Sequence, residues 1–172
     1  GAGRIVNQDI RRIDAAIEDG TIASNPALTG FIDALKTSGG TCHLMGLVSP
    51  GGVHSHQEHL AKLAETVAKA GIPVSIHMFL DGRDTPPSSA DGFIAGIDDG
   101  DGVLMGNFRS DRAREILLAL CDPEFDGFDR PRTVTFAAAL GITEYSNRHN
   151  TFMATMFPPE SLTNILGQIV SD

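Results

Sequence analysis

The 172-residue chain has no tryptophan, one tyrosine and two cysteines, Cys42 and Cys121. So few aromatic rings argue against a stacking platform for nucleic-acid bases or sugars. Acidic residues outnumber basic ones by 22 to 13, and the net charge of −9 disfavours a nucleic-acid partner. No run approaches the roughly 18 apolar residues of a membrane span, and no signal-peptide pattern opens the chain. We therefore expect a cytoplasmic protein without a membrane partner, whose cysteines are free thiols.

Short apolar runs alternate with stretches in which apolar residues recur every three or four positions. These patterns are typical of strands and helices in alternation. The predicted strands span 41–48, 74–80, 103–108 and 133–140. The predicted helices begin near Asn7, Pro26, Ser55 or His56, Ser110 and Glu160. This order predicts a three-layer α/β/α domain over residues 7–172 with a mainly parallel sheet, preceded by a connector at 1–6.

The connection between the second and third predicted strands departs from this pattern. A crossover between parallel strands normally carries a helix of about ten or more residues. Residues 86–90 could only begin such a helix, and the glycine- and aspartate-rich stretch 91–102 does not continue it. We expect a segment to be missing at Ala90–Asp91.

Arginine, histidine and aspartate follow three of the predicted strands. They lie in Gly-Gly-Val-His-Ser-His at 51–56, Asp-Gly-Arg-Asp at 81–84 and Asn-Phe-Arg-Ser-Asp-Arg at 107–112. Because the carboxyl ends of parallel strands line the ligand crevice of such a sheet, these side chains are expected to converge. Arginine offers a planar, bidentate fork to phosphate or carboxylate. The sequence therefore predicts a pocket for a small phosphorylated acid.

Each motif also has a purely structural interpretation, which the sequence leaves open. The glycine pair would then only shape a turn, Arg83 would pair with the aspartates beside it, and Arg109 and Arg112 would be solvated near a helix start. Three such motifs at strand ends favour the functional interpretation.

Three histidines in and just after the first motif, His54, His56 and His59, are spaced closely enough to suggest zinc. Only Glu58 stands nearby as a further ligand, and helix-start histidines need no metal. We expect no metal in this chain. The sequence also shows no P-loop and no compelling Ser–His–Asp order.

Two of the three motifs extend further, to Leu-Asp-Gly-Arg-Asp-Thr-Pro-Pro at 80–87 and Asn-Phe-Arg-Ser-Asp-Arg-Ala-Arg at 107–114. Together with Gly-Gly-Val-His-Ser-His at 51–56, they closely resemble motifs of the cofactor-independent (2,3-bisphosphoglycerate-independent) phosphoglycerate mutases. The resemblance runs over almost the whole chain. It implies an isomerase of glycolysis and gluconeogenesis with two domains. One is alkaline-phosphatase-like and carries two Mn²⁺ and a transiently phosphorylated serine. The other is an inserted phosphotransferase domain that binds the glycerate, and the chain resembles this domain alone, with 1–6 as its connector.

The resemblance assigns substrate binding to His54, Arg83, Asp84, Arg109 and Arg112. Asp84 is the expected catalytic group, exchanging a proton with the glycerate hydroxyl, while the last two arginines clamp the phosphate. The implied substrates are 3-phosphoglycerate and 2-phosphoglycerate. The implied partner is the phosphatase-like domain of the same, monomeric protein, and the isolated chain is expected to be inactive.

One departure from the family falls at the expected gap. The family segment Gly-Arg-Tyr-Tyr-Ala-Met-Asp-Arg-Asp, which carries two further substrate arginines, has no counterpart here. Either the protein itself is shortened, or residues of the natural chain are missing from the sequence; the family-like flanks favour the second.

Two other functions stay open: a non-catalytic module that binds phosphoacids, and a folded fragment with an incomplete pocket.

Overall fold

The computed structural model describes residues 8–48, 50, 52–79, 96–110, 113–130 and 132–160. Its helices and strands alternate along the chain. The helices are α1 (Asp9–Glu18), α2 (Pro26–Ser38), α3 (Gln57–Lys69) and α4 (Ala113–Cys121), with short 3₁₀ turns at Thr21–Ser24 and His149–Thr151. The strands are β1 (Cys42–Leu47), β2 (Val74–Phe79), β3 (Gly102–Met105), β4 (Ala138–Thr143) and β5 (Ala154–Phe157). No helix in these ranges is long and apolar enough to cross a membrane.

The five strands form one parallel sheet in the order β2-β1-β3-β4-β5. Successive residues of β1 and β3 point to opposite faces, as the pleat requires. Leu44 and Leu104 pack in the core beneath α1, α2 and α3, whereas Met45 and Met105 pack in a second core with α4. The predicted three-layer, mainly parallel α/β/α fold is therefore confirmed.

Helix ends follow the local chemistry of the sequence. The Asn25 side chain accepts hydrogen bonds from the amides of Ala27 and Leu28 at 3.0 and 3.2 Å, and so caps α2. Gly39 ends that helix in the left-handed conformation, with φ of +72°. The first helix, expected to begin near Asn7, begins at Asp9. Gln8 precedes α1, because its carbonyl accepts the first helical hydrogen bonds, from the amides of residues 11 and 12.

Three strands differ from the prediction. The segment expected as a strand at 133–140 begins pairing only at Ala138, because its first half binds the turn before β3. There, the amide of Gly100 donates to Thr135 O, and the Thr135 amide donates to Asp99 Oδ1. Strand β5 was not predicted, although its apolar run precedes a proline pair. The predicted strand at 103–108 ends early, at Met105, and the helix expected after Glu160 lies outside the described residues.

The first helix and the last described residues are in direct contact. Arg12 donates a 2.9 Å hydrogen bond to the Pro158 carbonyl and lies 3.4 Å from a Glu160 carboxylate oxygen. Its guanidinium also stacks over the Phe157 ring at 5.7 Å. The first turn of α1 therefore lies beside the end of β5.

Candidate anion-binding site

The order in which strands are added to the sheet reverses between β1 and β3, because β2 pairs with β1 on one side and β3 pairs with β1 on the other. In sheets of this order the ligand crevice opens at that point, beyond the carboxyl ends of the two strands. His54 follows β1 and Arg109 follows β3. The Arg109 amide donates a hydrogen bond to the His54 carbonyl at 3.2 Å. Backbone pairing thus joins two of the predicted site residues at the switch point, with His54 half-buried and Arg109 exposed.

Asn107 continues the β1–β3 pairing after the backbone ladder ends. The last ladder-like bond runs from the Gly106 amide to the Met45 carbonyl at 2.8 Å. The buried Asn107 side chain then accepts a hydrogen bond from the Leu47 amide through Oδ1, at 2.9 Å. This amide group fixes the start of the Arg109 loop against the end of β1.

Tyr145 holds the same loop from the side of β4. Its hydroxyl donates to the Asn107 carbonyl at 2.6 Å and lies 3.3 Å from the Met105 carbonyl. The side chain is buried, and burial raises the pKa of Tyr145 well above its usual value of 10.0. The phenol therefore stays a hydrogen-bond donor across the physiological range.

Two glycines allow the first turn of α3 to approach the strand ends closely. A Cβ at Gly46 would lie 2.6 Å from the Leu60 side chain, and a Cβ at Gly106 would overlap the same side chain. Leu60 is nearly fully buried there. The N-terminus of α3, with its positive dipole end, consequently opens beside His54 and adds to the potential that attracts an anion.

The remaining predicted site residues, Arg83, Asp84 and Arg112, lie outside the described residues. The structure therefore brings together His54 and Arg109 from the first and third motifs. The convergence of the second motif with them stays a prediction, supported by the pairing of β2 with β1.

The neighbouring histidines have separate partners. His56 caps α3 by accepting the Glu58 amide at Nδ1, at 3.3 Å. His59 binds Asp14 across to α1 at 2.6 Å. Across the described ranges, no group of three or more His, Cys, Asp or Glu side chains could hold a metal ion. His56 and His59 thus help to define the start of α3 and its contact with α1.

The two cysteines show no feature of a nucleophile. Burial raises the pKa of both Cys42 and Cys121 to about 12. Because the thiolate is the reactive form, both thiols are inert at physiological pH.

Sequence reasoning missed Asn107 and Tyr145 as supports of the site. Asn107 stood inside a recognised motif, directly after a strand, which is a usable signal. Tyr145 is the only tyrosine of the chain, yet its position relative to the sheet depended on β4, whose start was misplaced.

Comparisons with known proteins agree on one family. Residues 13–99 and 94–147 match the family described as the BPG-independent PGAM N-terminus. The 2,3-bisphosphoglycerate-independent phosphoglycerate mutase of Rhodopseudomonas palustris is 42% identical over 247 residues, which cover 100% of the chain and 49% of the relative. The enzyme of the same name from Dinoroseobacter shibae is 38% identical over 246 residues, with 99% and 49% coverage. The chain thus spans about half the length of these curated relatives.

A solved Leishmania mexicana phosphoglycerate mutase has the same fold. Its TM-score is 0.77 at 23% identity, with 99% of this chain and 48% of that chain covered.

The alignment with the Rhodopseudomonas relative is longer than the chain, because its 247 residues exceed the 172 of this chain by 75. Relatives therefore carry residues within the matched half that this chain lacks, and their placement at Ala90–Asp91 stays a prediction.

Proposed function

Since the chain belongs to the BPG-independent phosphoglycerate mutase N-terminus family, we propose that it is the substrate-binding, phosphotransferase part of such an isomerase. In this proposal it holds 3-phosphoglycerate or 2-phosphoglycerate while the phosphoryl group passes through a serine of a second, phosphatase-like domain. The full protein would act as a monomer in cytoplasmic glycolysis and gluconeogenesis. The observation that carries the proposal is the joining of His54 and Arg109 at the β1/β3 switch point.

The proposed roles are those that the family resemblance implies, and they are supported by the order of the motifs after β1, β2 and β3. Arg109, together with Arg112, would bind the phosphate through charge-assisted, bidentate hydrogen bonds. His54 would contact the substrate from the loop after β1. Arg83 and Asp84 follow β2, the neighbour of β1, where the arginine would bind substrate and the carboxylate would exchange a proton with a glycerate hydroxyl.

The two Mn²⁺ of the proposed full-length enzyme would belong to the phosphatase-like domain, where they would activate the serine and stabilise phosphoryl charge. In this chain, His56 caps α3 and His59 contacts Asp14 of α1. This chain's own contribution would be to bind and orient the phosphorylated acid.

The contact between Arg12 and the Pro158–Glu160 region supports an inserted domain. A domain inserted into a host leaves and re-enters it through neighbouring connectors. Helix α1 follows the proposed connector at 1–6, and residues 158–160 are the last described ones. Their hydrogen bond and ion pair place α1 beside residues 158–160, which supports the proposal, while the position of the following residues relative to α1 stays a prediction.

Calorimetric titration of the chain with 3-phosphoglycerate tests the proposed binding role, with glycerate and inorganic phosphate as comparisons. We expect 3-phosphoglycerate to bind, and Arg109→Ala to weaken it about tenfold or more, since a charge-assisted hydrogen bond is worth roughly 1.5–3 kcal/mol. Arg132→Ala is the matched control, because Arg132 pairs with Asp98 at the opposite, amino-terminal edge of β3. Equal affinities in the wild type and Arg109→Ala would refute the proposed clamp.

Adding a separately produced phosphatase-like half with Mn²⁺ tests the catalytic role. Interconversion of 3- and 2-phosphoglycerate in the mixture would support a phosphotransferase domain. Binding without turnover would instead favour a non-catalytic phosphoacid-binding module. Absence of binding would leave a folded fragment with an incomplete pocket.

A further inference from the structure

His59 and Asp14 form a contact that the proposed substrate roles do not use. His59 lies in the first turn of α3 and is only 2% exposed. Its Nε2 is 2.6 Å from Oδ1 of Asp14, which projects from α1. The Asp14 side chain is half-exposed. The bond therefore crosses between two helices, from the domain surface to a buried ring.

The His59 ring lies between the two loops of the crevice. Its centroid is 6.0 Å from that of Phe108, the residue before Arg109. It is 5.2 Å from that of His56, two residues after His54. Since the backbones of the two loops are joined by the Arg109–His54 hydrogen bond, His59 supports both sides of that junction.

The orientation of this ring depends on Asp14. A carboxylate only accepts hydrogen bonds, so Nε2 of His59 carries the donated proton. The other ring nitrogen, Nδ1, is enclosed and has no hydrogen-bond partner among the described residues. Within that part of the chain, one hydrogen bond thus selects both the tautomer and the rotamer of His59.

Asp14 stands on a helix that is held firmly. Ile13 and Ala16, on either side of it, are buried in the larger core. Arg12 binds the Pro158 carbonyl, and Asp9 lies 3.5 Å from the Thr143 hydroxyl of β4. The carboxylate is therefore presented from a rigid platform, which is what the orientation of a neighbouring site requires.

We propose that Asp14 and His59 are a positioning pair, which holds the His54 and Arg109 loops at the separation that the phosphorylated substrate needs. The pair acts through Phe108 and His56 and does not touch substrate. Its effect on substrate rests on the proposed function, whereas its effect on the loops is a property of the free chain.

Amide hydrogen exchange at Arg109 in the ligand-free chain tests the effect on the loops, because this amide donates to His54. We expect Asp14→Ala to accelerate exchange by about three- to tenfold, the range for one partly solvated hydrogen bond. Asp14→Asn keeps an oxygen acceptor and should restore exchange to within about twofold of the wild type. Asp19→Ala is the matched control, since Asp19 accepts from Thr21 at the far end of α1.

His59→Phe supplies a second, independent variant. It keeps an aromatic ring against Phe108 but removes the donor to Asp14, so Arg109 exchange should rise as in Asp14→Ala. The double variant should exchange no faster than either single one, because both remove the same bond. Equal effects of Asp14→Ala and Asp19→Ala, or additive effects in the double variant, would overturn the positioning pair.

Titration of the same variants with 3-phosphoglycerate separates this inference from the proposed function. We expect Asp14→Ala to weaken binding about three- to tenfold, and Asp14→Asn to recover it. If the wild type does not bind while Arg109 exchange still responds to Asp14, the proposed function fails and the loop-positioning role stands. If binding is intact and Arg109 exchange does not respond, the positioning role is refuted and the proposed function stands.

Discussion

Replacing Tyr145 with phenylalanine should destabilise the protein by about 1–3 kcal/mol, the cost of leaving a buried polar group without its partner. The change keeps the ring and removes only the hydroxyl that donates to the Asn107 carbonyl at 2.6 Å. In a domain of this size, each kcal/mol lowers Tm by roughly 2–4 °C. Calorimetry or urea unfolding measures the loss. Thr37→Val is the control, because its hydroxyl bonds a helix carbonyl at an exposed position and should change stability by only about 0.5 kcal/mol.

The same residue gives a pH dependence with a defined sign. Burial raises the folded-state pKa of Tyr145 above 10.0, so folding favours the protonated phenol. The corresponding stability is complete below pH 10.0 and is lost progressively as pH rises from there towards the folded-state pKa. With one tyrosine and no tryptophan, phenolate absorbance reports this group alone. Ionisation near pH 10.0 in the native protein, or an unchanged Tm in Tyr145→Phe, would refute the assignment of Tyr145 as the buried support of the Asn107 loop.

Three further changes test other parts of the structure. In the full-length protein, Arg109→Ala should lower kcat/KM by about one to two orders of magnitude with little loss of stability, and Arg109→Lys should recover part of the lost kcat/KM. Wild-type kinetics in Arg109→Ala would refute the proposed role of Arg109 in binding the phosphate. Gly106→Ala should lower the free energy of unfolding by about 1–3 kcal/mol, because the added methyl group pushes Leu60 aside. In urea unfolding, the double variant with Leu60→Ala should lose less stability than the sum of the two single variants. Burial opposes ionisation of Asp101, but hydrogen bonds from the amides of Thr41 and Asp98 and from His43 lower the pKa of its carboxyl group below 3.8. The contribution of the carboxylate to folding stability is therefore present above pH 3.8 and should be lost as pH falls through the folded-state pKa. Asp101→Asn should flatten that part of the pH–stability curve.

The sequence was most informative where one local interaction decides the structure. The predicted helix start near Pro26 and the predicted strand at 41–48 agree with α2 and β1, because helix capping and strand burial need few partners. The start of β4 was missed for the opposite reason. Thr133 to Ala137 are rich in strand-forming residues, but hydrogen bonds to the turn at 98–101 engage Thr135 and Ala137 before the ladder begins.

The sequence identified charged candidates for the site but not the residues that support their loops. Arginine and histidine after strand-like runs indicated an anion crevice, and the structure joins His54 to Arg109 there. The contributions of Asn107 and Tyr145 depend on which strands are neighbours. Strand order is a tertiary property, and no local pattern around the tyrosine reveals that its hydroxyl reaches a loop after β3.

The division between charged residues and supports predicts two classes of variant. Arg109 is exposed, and its amide bonds His54 whatever its side chain is, so side-chain changes there should affect binding much more than folding. Asn107 and Gly106 are buried parts of the β1–β3 junction, so their replacement should reduce stability and binding together. Asp14 lies between these classes, because it is half-exposed yet orients a buried ring. A measured plot of binding loss against stability loss should therefore place Asp14→Ala closer to Arg109→Ala than to Gly106→Ala.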